Sequence, residues 1–267
     1  MKLFFFDIDG TLVNRLNIMP ESAWSAIESL REAGHKCFIC SGRNLPSAFS
    51  FKGPEFDGVI YNSGGGVRIG DEDIISHAIP EKALEKTIRI LDAQEASYGL
   101  SARDRMYVND RMLNAFKQWG EELGLSQEEI FAFYAIYPLK DWEGEPVQKI
   151  DVMFPDIVTR EKAAACLDPQ VMWSGGTGDH TGLFGEINVS GISKGFAALE
   201  VCAYYQCSKD DMYGFGDGMN DLSLMMACRH GVAMGESESI VREAAEYITD
   251  TVDNDGIEKA LRHYGVL

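Results

Sequence analysis

The stretch Lys2-Leu3-Phe4-Phe5-Phe6-Asp7-Ile8-Asp9-Gly10-Thr11 opens the chain and decides its fold. A short, nearly continuous apolar run is the pattern of a strand covered on both faces. It ends on two carboxylates two residues apart and on a glycine that permits a tight turn. Over residues 20–33, Ala23, Ala26, Ile27 and Leu30 recur at helical spacing, and Gly34 is placed to end that helix. Residues 36–40 form a second apolar run, followed by Ser41-Gly42-Arg43. Strand, helix, strand is a βαβ unit, which implies a parallel sheet with a right-handed crossover.

Outward from this unit the rhythm continues. It predicts a helix at 45–51, a strand at 58–62, a turn at Gly64-Gly65-Gly66 and a small hairpin over 67–75. The character changes at residue 80. Helical patterns at 81–95, 114–123 and 159–167 alternate with strand patterns at 97–108, 130–137 and 149–154. The parallel-sheet rhythm then resumes, with helices at 194–204, 220–227, 240–245 and 257–264 and strands at 212–215, 231–234 and 247–249. The expected architecture is α/β. Residues 1–79 and 185–267 form a Rossmann-like parallel-sheet core, and residues 80–184 form an inserted α/β domain with its own small sheet.

The 267 residues are 45% apolar and 25% charged, ordinary for a globular protein with a buried core. The formal net charge of −18 argues against a nucleic-acid partner, which calls for a basic face. It also means that any bound phosphate needs local cations, from a metal or from placed Lys and Arg. The N-terminal apolar run stops at Asp7, too short for a signal peptide or a span of about 20 residues. A cytoplasmic protein with no membrane partner is expected. The cysteines Cys37, Cys40, Cys166, Cys202, Cys207 and Cys228 are scattered. Cys37-Phe38-Ile39-Cys40 has C-x-x-C spacing but lies within a strand pattern, so buried thiols are expected rather than a redox or zinc site.

Four segments fall at the C-terminal ends of predicted core strands, the edge where open α/β sheets bind ligands. Asp7-Ile8-Asp9-Gly10-Thr11 offers two carboxylates, although an Asx turn would use the same residues. Ser41-Gly42-Arg43 offers a hydroxyl and a backbone N–H to a phosphate oxygen. Ile192-Ser193-Lys194-Gly195 opens a helix with an N-cap Ser, and sets Lys194 against the helix dipole. Gly214-Phe215-Gly216-Asp217-Gly218-Met219-Asn220-Asp221 places three glycines and two Asp between a strand and a helix.

In this order the four segments resemble the motif set of the haloacid dehalogenase-like (HAD) hydrolases, in particular the Cof-type phosphatases with an inserted α/β cap of type C2B. The resemblance extends to Gly231-Val232-Ala233-Met234-Gly235 and Asp255-Gly256-Ile257. It implies Asp7 as nucleophile and Mg²⁺ ligand. Asp9 is implied as general acid/base, with its backbone carbonyl on the metal. Ser41, Gly42, Lys194 and Asn220 would bind the substrate phosphate, Asp217 would be a second carboxylate on the metal, and Asp221 would support the metal site or Lys194. The implied partner is a small-molecule phosphate ester, a sugar phosphate or a phosphorylated cofactor, and the implied cofactor is Mg²⁺. A phosphomutase on the same scaffold and a non-catalytic metabolite sensor are the rival functions. Oligomeric state is left open.

Two stretches depart from the family pattern. Asn62-Ser63-Gly64 stands where Asn-Gly-Ala is usual, and Gly235-Glu236-Ser237 where Gly-Asn-Ala is usual. The cap tryptophans Trp119, Trp142 and Trp173 are expected in the core. Residues 101–105 and 174–180 are polar segments of the inserted domain, read as surface loops.

Overall fold

The structure, a computed structural model, describes residues 1–176 and 181–267. The final part of the polar segment 174–180 therefore lies outside the described residues. In chain order the elements are β1 (Leu3–Phe6), α1 (Glu21–Glu32), β2 (Lys36–Cys40), α2 (Leu45–Ala48), β3 (Gly58–Tyr61), β4 (Gly66–Ile69) and β5 (Glu72–Ser76). There follow α3 (Glu81–Ala93), β6 (Ser97–Ser101), β7 (Met106–Val108), α4 (Asp110–Leu123), α5 (Gln127–Tyr134), β8 (Ile136–Pro138), β9 (Lys149–Met153), α6 (Ile157–Cys166), β10 (Val171–Gly175) and β11 (Phe184–Val189). The chain closes with α7 (Lys194–Tyr204), β12 (Met212–Gly216), α8 (Leu222–Ala227), β13 (His230–Ala233), α9 (Ser239–Ala244), β14 (Tyr247–Ile248) and α10 (Gly256–His263).

Two compact units result, Met1–Gly42 with Ala48–Ile75 and Ser193–Leu267, and Arg43–Ser47 with Ser76–Ile192. The first is built on an eight-stranded sheet in the order β14-β13-β12-β1-β2-β3-β4-β5. From β14 to β3 the neighbours are parallel, and β4 turns back antiparallel on β3. The central place of β1 explains its composition. Leu3 and Phe5 enter an apolar cluster with Phe38, Ala197, Val201 and Leu224. Phe4 and Phe6 point to the other face, stacking on Tyr213 and Phe215 with ring centroids 4.7 and 4.8 Å apart. All three phenylalanines are fully buried, and each such side chain contributes about 1.5–3 kcal/mol.

The second unit holds a six-stranded sheet in the order β10-β11-β9-β6-β7-β8. Its pairs are antiparallel except β7 with β8. One face carries Tyr98, Leu100, Ile150, Val152 and Ile187 into an apolar cluster with Leu84 and Leu91 of α3 and Ala163 of α6. The alternate positions of β9 carry Lys149 and Asp151. Lys149 Nζ lies 2.8 Å from Asp151 Oδ1 and 2.9 Å from Glu186 Oε1, and the Ser101 hydroxyl donates to Asp151 at 2.8 Å.

Several expectations are corrected. The strand expected at 130–137 is mostly the helix α5. Ser126 and Glu129 form a reciprocal capping box, with Ser126 N donating to Glu129 Oε2 at 2.8 Å and Glu129 N to Ser126 Oγ at 3.2 Å. This pairing satisfies the first donors of a helix and outweighs the strand-like aromatic pattern. The strand expected at 97–108 breaks into β6 and β7, closed by the bond from Ala102 N to Arg105 O. The boundary at 184/185 moves to 192/193, because β11 pairs with β9 and β10 rather than joining the first sheet. The earlier boundary moves from 79/80 to 75/76. Trp119 is exposed, whereas Trp142 and Trp173 pack on the apolar core of the second unit. All six cysteines are free thiols, and Cys37 and Cys40 are buried as expected. Among the described residues no helix is long and apolar enough to cross a membrane.

Candidate active site

Asp7 stands immediately beyond β1. Its amide continues the ladder by donating to Phe215 O at 3.0 Å, and its carbonyl accepts from Leu12 N at 3.2 Å. The chain then turns back through Gly10, whose amide donates to Val13 O at 3.0 Å. Gly10 has φ +80°, and a Cβ there would lie 2.4 Å from Asp217 Oδ2. Only glycine gives both the left-handed turn and the room for Asp217. Asp9 is exposed beside this turn, bridged to Val13.

Lys194 begins α7, after Ser193 caps the helix by accepting from Phe196 N at 3.2 Å. The helix dipole disfavours a cation there, and the structure supplies the compensation. Lys194 Nζ lies 2.6 Å from Asp7 Oδ1 and 2.6 Å from Asp221 Oδ1, and the lysine is 1% exposed. Asp221 is fully buried. Its other oxygen, Oδ2, accepts from Asp217 N at 3.0 Å and Gly218 N at 3.1 Å. Asp217 is half-buried, and its Oδ1 accepts from the Thr11 hydroxyl at 3.4 Å.

The charges strain against burial. Burial works against the Lys194 ammonium, but Asp221 and Asp7 more than offset it and hold the amine well above the ordinary lysine value. Burial pushes the Asp7 carboxyl well above the ordinary carboxylate range, and Asp221 adds to the rise while Lys194 opposes it. Asp217 is pushed up to about 7, by burial first and then by the Asp221 charge.

Oxygens of Asp7, Asp217 and Asp221 lie within 4.8 Å of one another. With all three carboxyls ionised, as binding of a cation requires, the one ammonium leaves two negative charges in excess. Asp221 is committed on both oxygens, so Asp7 and Asp217 are the carboxylates left to face a cation. Hard oxygen donors and an excess of two charges fit Mg²⁺. The Asp9 side chain is outside this cluster.

The remaining expected residues sit on neighbouring turns of the same sheet edge. Ser41, 2% exposed, follows β2, its amide donating to Ile60 O at 2.9 Å and its carbonyl accepting from Ser63 N at 3.0 Å. Gly42 and Asn220 are half-buried, Asn220 in the turn between β12 and α8. The departure at residues 62–64 has a clear geometry. Asn62 and Ser63 take left-handed φ of +49° and +54°. Gly64 follows at φ +99°, where a Cβ would meet Ser193 O at 2.3 Å. The glycine lets this turn press on the residue before Lys194. The departure at 235–237 is less intrusive than its charge suggests. Glu236 is exposed and 3.9 Å from Arg15, while Ser237 is buried and donates to Met234 O at 2.5 Å.

Thr11 had no role assigned from the sequence, and the turn expected at Gly64 gave no sign of its close approach to Ser193. Thr11 was legible in the D-x-D-G-T run. The approach of Gly64 to Ser193 is a contact that no local pattern announces. The haloacid dehalogenase-like hydrolase family matches residues 4–261 of this chain. YkrA of Bacillus subtilis, which carries the name of a phosphatase, is 29% identical over 100% of this chain and 98% of its own length. The 5-amino-6-(5-phospho-D-ribitylamino)uracil phosphatase YwtE of Bacillus subtilis is 24% identical over 96% of each chain. BT1666 of Bacteroides thetaiotaomicron, studied among phosphatases of the HAD enzyme superfamily, superposes with a TM-score of 0.82 at 26% identity, covering 100% of this chain and 96% of that one.

Proposed function

Because the chain belongs to the haloacid dehalogenase-like hydrolases and is a phosphatase among them, we propose that it hydrolyses the phosphate monoester of a small hydroxyl-rich metabolite through an aspartyl-phosphate on Asp7. The observation that carries this reading is the buried Asp7–Lys194–Asp221 contact, with Asp217 beside it at the C-terminal edge of the sheet. The substrate in the name of YwtE, a phosphorylated ribityl compound, supports a sugar phosphate or similar ester. Residues 76–192 are assigned as the inserted cap.

Mg²⁺ would be held by Asp7 and Asp217, with the Asp9 carbonyl as a further oxygen. Bound there, the cation supplies charge that lets an anionic nucleophile approach an anionic phosphate. Lys194 and the Ser41–Gly42 turn hold the phosphoryl oxygens and stabilise their charge in the transition state. An Asp7 oxygen attacks phosphorus as the bond to the leaving oxygen breaks, and Asp9 gives that oxygen its proton. Water then attacks the phosphorus of the acyl phosphate, Asp9 takes a proton from it, and inorganic phosphate leaves with Asp7 restored. Asn220 contacts the phosphate, and Asp221 keeps Lys194 charged and aimed.

A panel of phosphorylated metabolites assayed with Mg²⁺ tests the reading. Stoichiometric release of inorganic phosphate is expected. Isomerised sugar phosphate without release would favour the phosphomutase, and no turnover on any ester would favour a sensor.

A further inference from the structure

Three consecutive backbone amides, those of Asp217, Gly218 and Met219, point at carboxylates of the protein itself. Asp221 Oδ2 takes the first two, and Glu238 Oε1 takes the third at 3.1 Å. Successive amides in a turn form a concavity that attracts anions, and here the chain fills it internally. Glu238 also grips the loop from its own backbone, its amide donating to Asp217 O at 2.9 Å. Two neighbouring bonds fasten the same junction. Met234 N donates to Gly216 O at 3.0 Å, and the Ser237 hydroxyl lies 3.4 Å from that carbonyl. The segment after β13 is thereby sewn to the segment after β12, across the residues that carry Asp217 and Asn220.

A second observation separates Glu238 from an ordinary helix cap. It occupies the N-cap of α9, yet its side chain makes no capping bond to that helix. Short oxygen-bearing side chains are favoured at an N-cap because they reach the first amides of their own helix. The longer Glu238 reaches away from α9, to the amide of Met219, 19 residues earlier.

We propose that Glu238 is a positioning residue for the metal site: it fixes the Asp217–Met219 backbone from both sides and so sets the aim of the Asp217 carboxylate. This rests on the reading of Asp217 as a Mg²⁺ ligand. What Glu238 contributes is an acceptor at the right place. Its charge only adds to an already acidic site, so a neutral acceptor of the same length serves equally.

The test measures Mg²⁺ binding to the metal-free protein by calorimetry, with no substrate. Glu238→Ser suits the N-cap of α9 and cannot span to Met219, so the fold is kept while the contact is removed. Its Mg²⁺ affinity is expected to fall about tenfold or more, the usual cost of losing an outer-shell partner. The metal-free melting temperature is expected to stay within a few degrees of wild type. Glu238→Gln, which keeps an acceptor of the same length, is expected to escape that tenfold loss and bind Mg²⁺ close to wild type. Wild-type affinity in Glu238→Ser would overturn the proposal, and so would equal losses in Glu238→Ser and Glu238→Gln. Asp217→Asn separates the two levels. If it also bound Mg²⁺ like wild type, the metal reading itself would fail. If it lost binding while Glu238→Ser kept it, only the role of Glu238 would fail.

Discussion

Asp7 and Lys194 are each buried and each unfavourable alone, and their 2.6 Å contact makes both tolerable. Replacing Asp7 by Asn removes the nucleophile but leaves Lys194 its second partner, Asp221. Turnover of Asp7→Asn is expected to fall by roughly ten-thousandfold or more, as for removal of a nucleophile elsewhere. Its circular dichroism should be unchanged. Retained activity in that variant would refute the covalent route. Asp217 carries a pH dependence with a definite sign. Its folded value of about 7 lies above the ordinary 3.8, so the fold favours its protonated form. The stability this group contributes is full below about 4 and is lost as pH rises through about 7. Metal-free protein should therefore melt lower at pH 8 than at pH 5, and Mg²⁺ affinity should rise over the same interval as the proton leaves. A flat Mg²⁺ affinity between pH 6 and 8 would contradict this. Asp217→Asn should flatten the melting profile. At this scale the sequence was most legible, because D-x-D-G-T and G-D-G-x-N-D are local signals. Glu238 was hidden, since its importance lies in one bond to an amide distant in the chain.

Elements place these residues by close approach. Gly64 presses its turn against Ser193, the residue that caps α7 and precedes Lys194. Gly64→Ala would add a Cβ at 2.3 Å from the Ser193 carbonyl on a backbone of φ +99°. A loss of about 2 kcal/mol is expected from strain and displacement together. A denaturant titration reads the stability, and a lowered kcat with little change in folding pattern would trace the shift to Lys194. Unchanged stability would show that the turn can yield. The strands and helices of the first unit were legible because burial on both faces leaves long apolar runs. The second unit was harder. Its residues 130–137 carry alternating aromatics, and only the Ser126–Glu129 box reveals a helix. β11 resembles a core strand by composition, yet its partners are β9 and β10.

For the whole molecule, the net charge of −18 sets the approach of an anionic substrate. The fixed cation near Asp7 is Lys194, buried and already held by two carboxylates. Long-range repulsion is therefore expected to slow capture and to be screened by salt. At constant free Mg²⁺, kcat/KM should rise by about twofold as ionic strength goes from roughly 20 to 200 mM. A fall would mean that local attraction outweighs the global field. Such a balance was only partly legible in the sequence, which gives the total charge but not its distribution.

The central position of β1 has a consequence for the birth of the protein. Its two neighbours are β2, which follows within about 30 residues, and β12, which is about 200 residues away. At roughly 5–20 residues per second, the ribosome needs on the order of 10–40 s to deliver that second neighbour. Meanwhile the backbone edge of β1 that β12 will pair stands open, with phenylalanines on the faces to either side of it. The six strands of the second unit emerge complete within that interval. The nascent chain thus has one finished body tethered to a half-built sheet, and the exposed edge of β1 is the segment a ribosome-associated chaperone would be expected to cover.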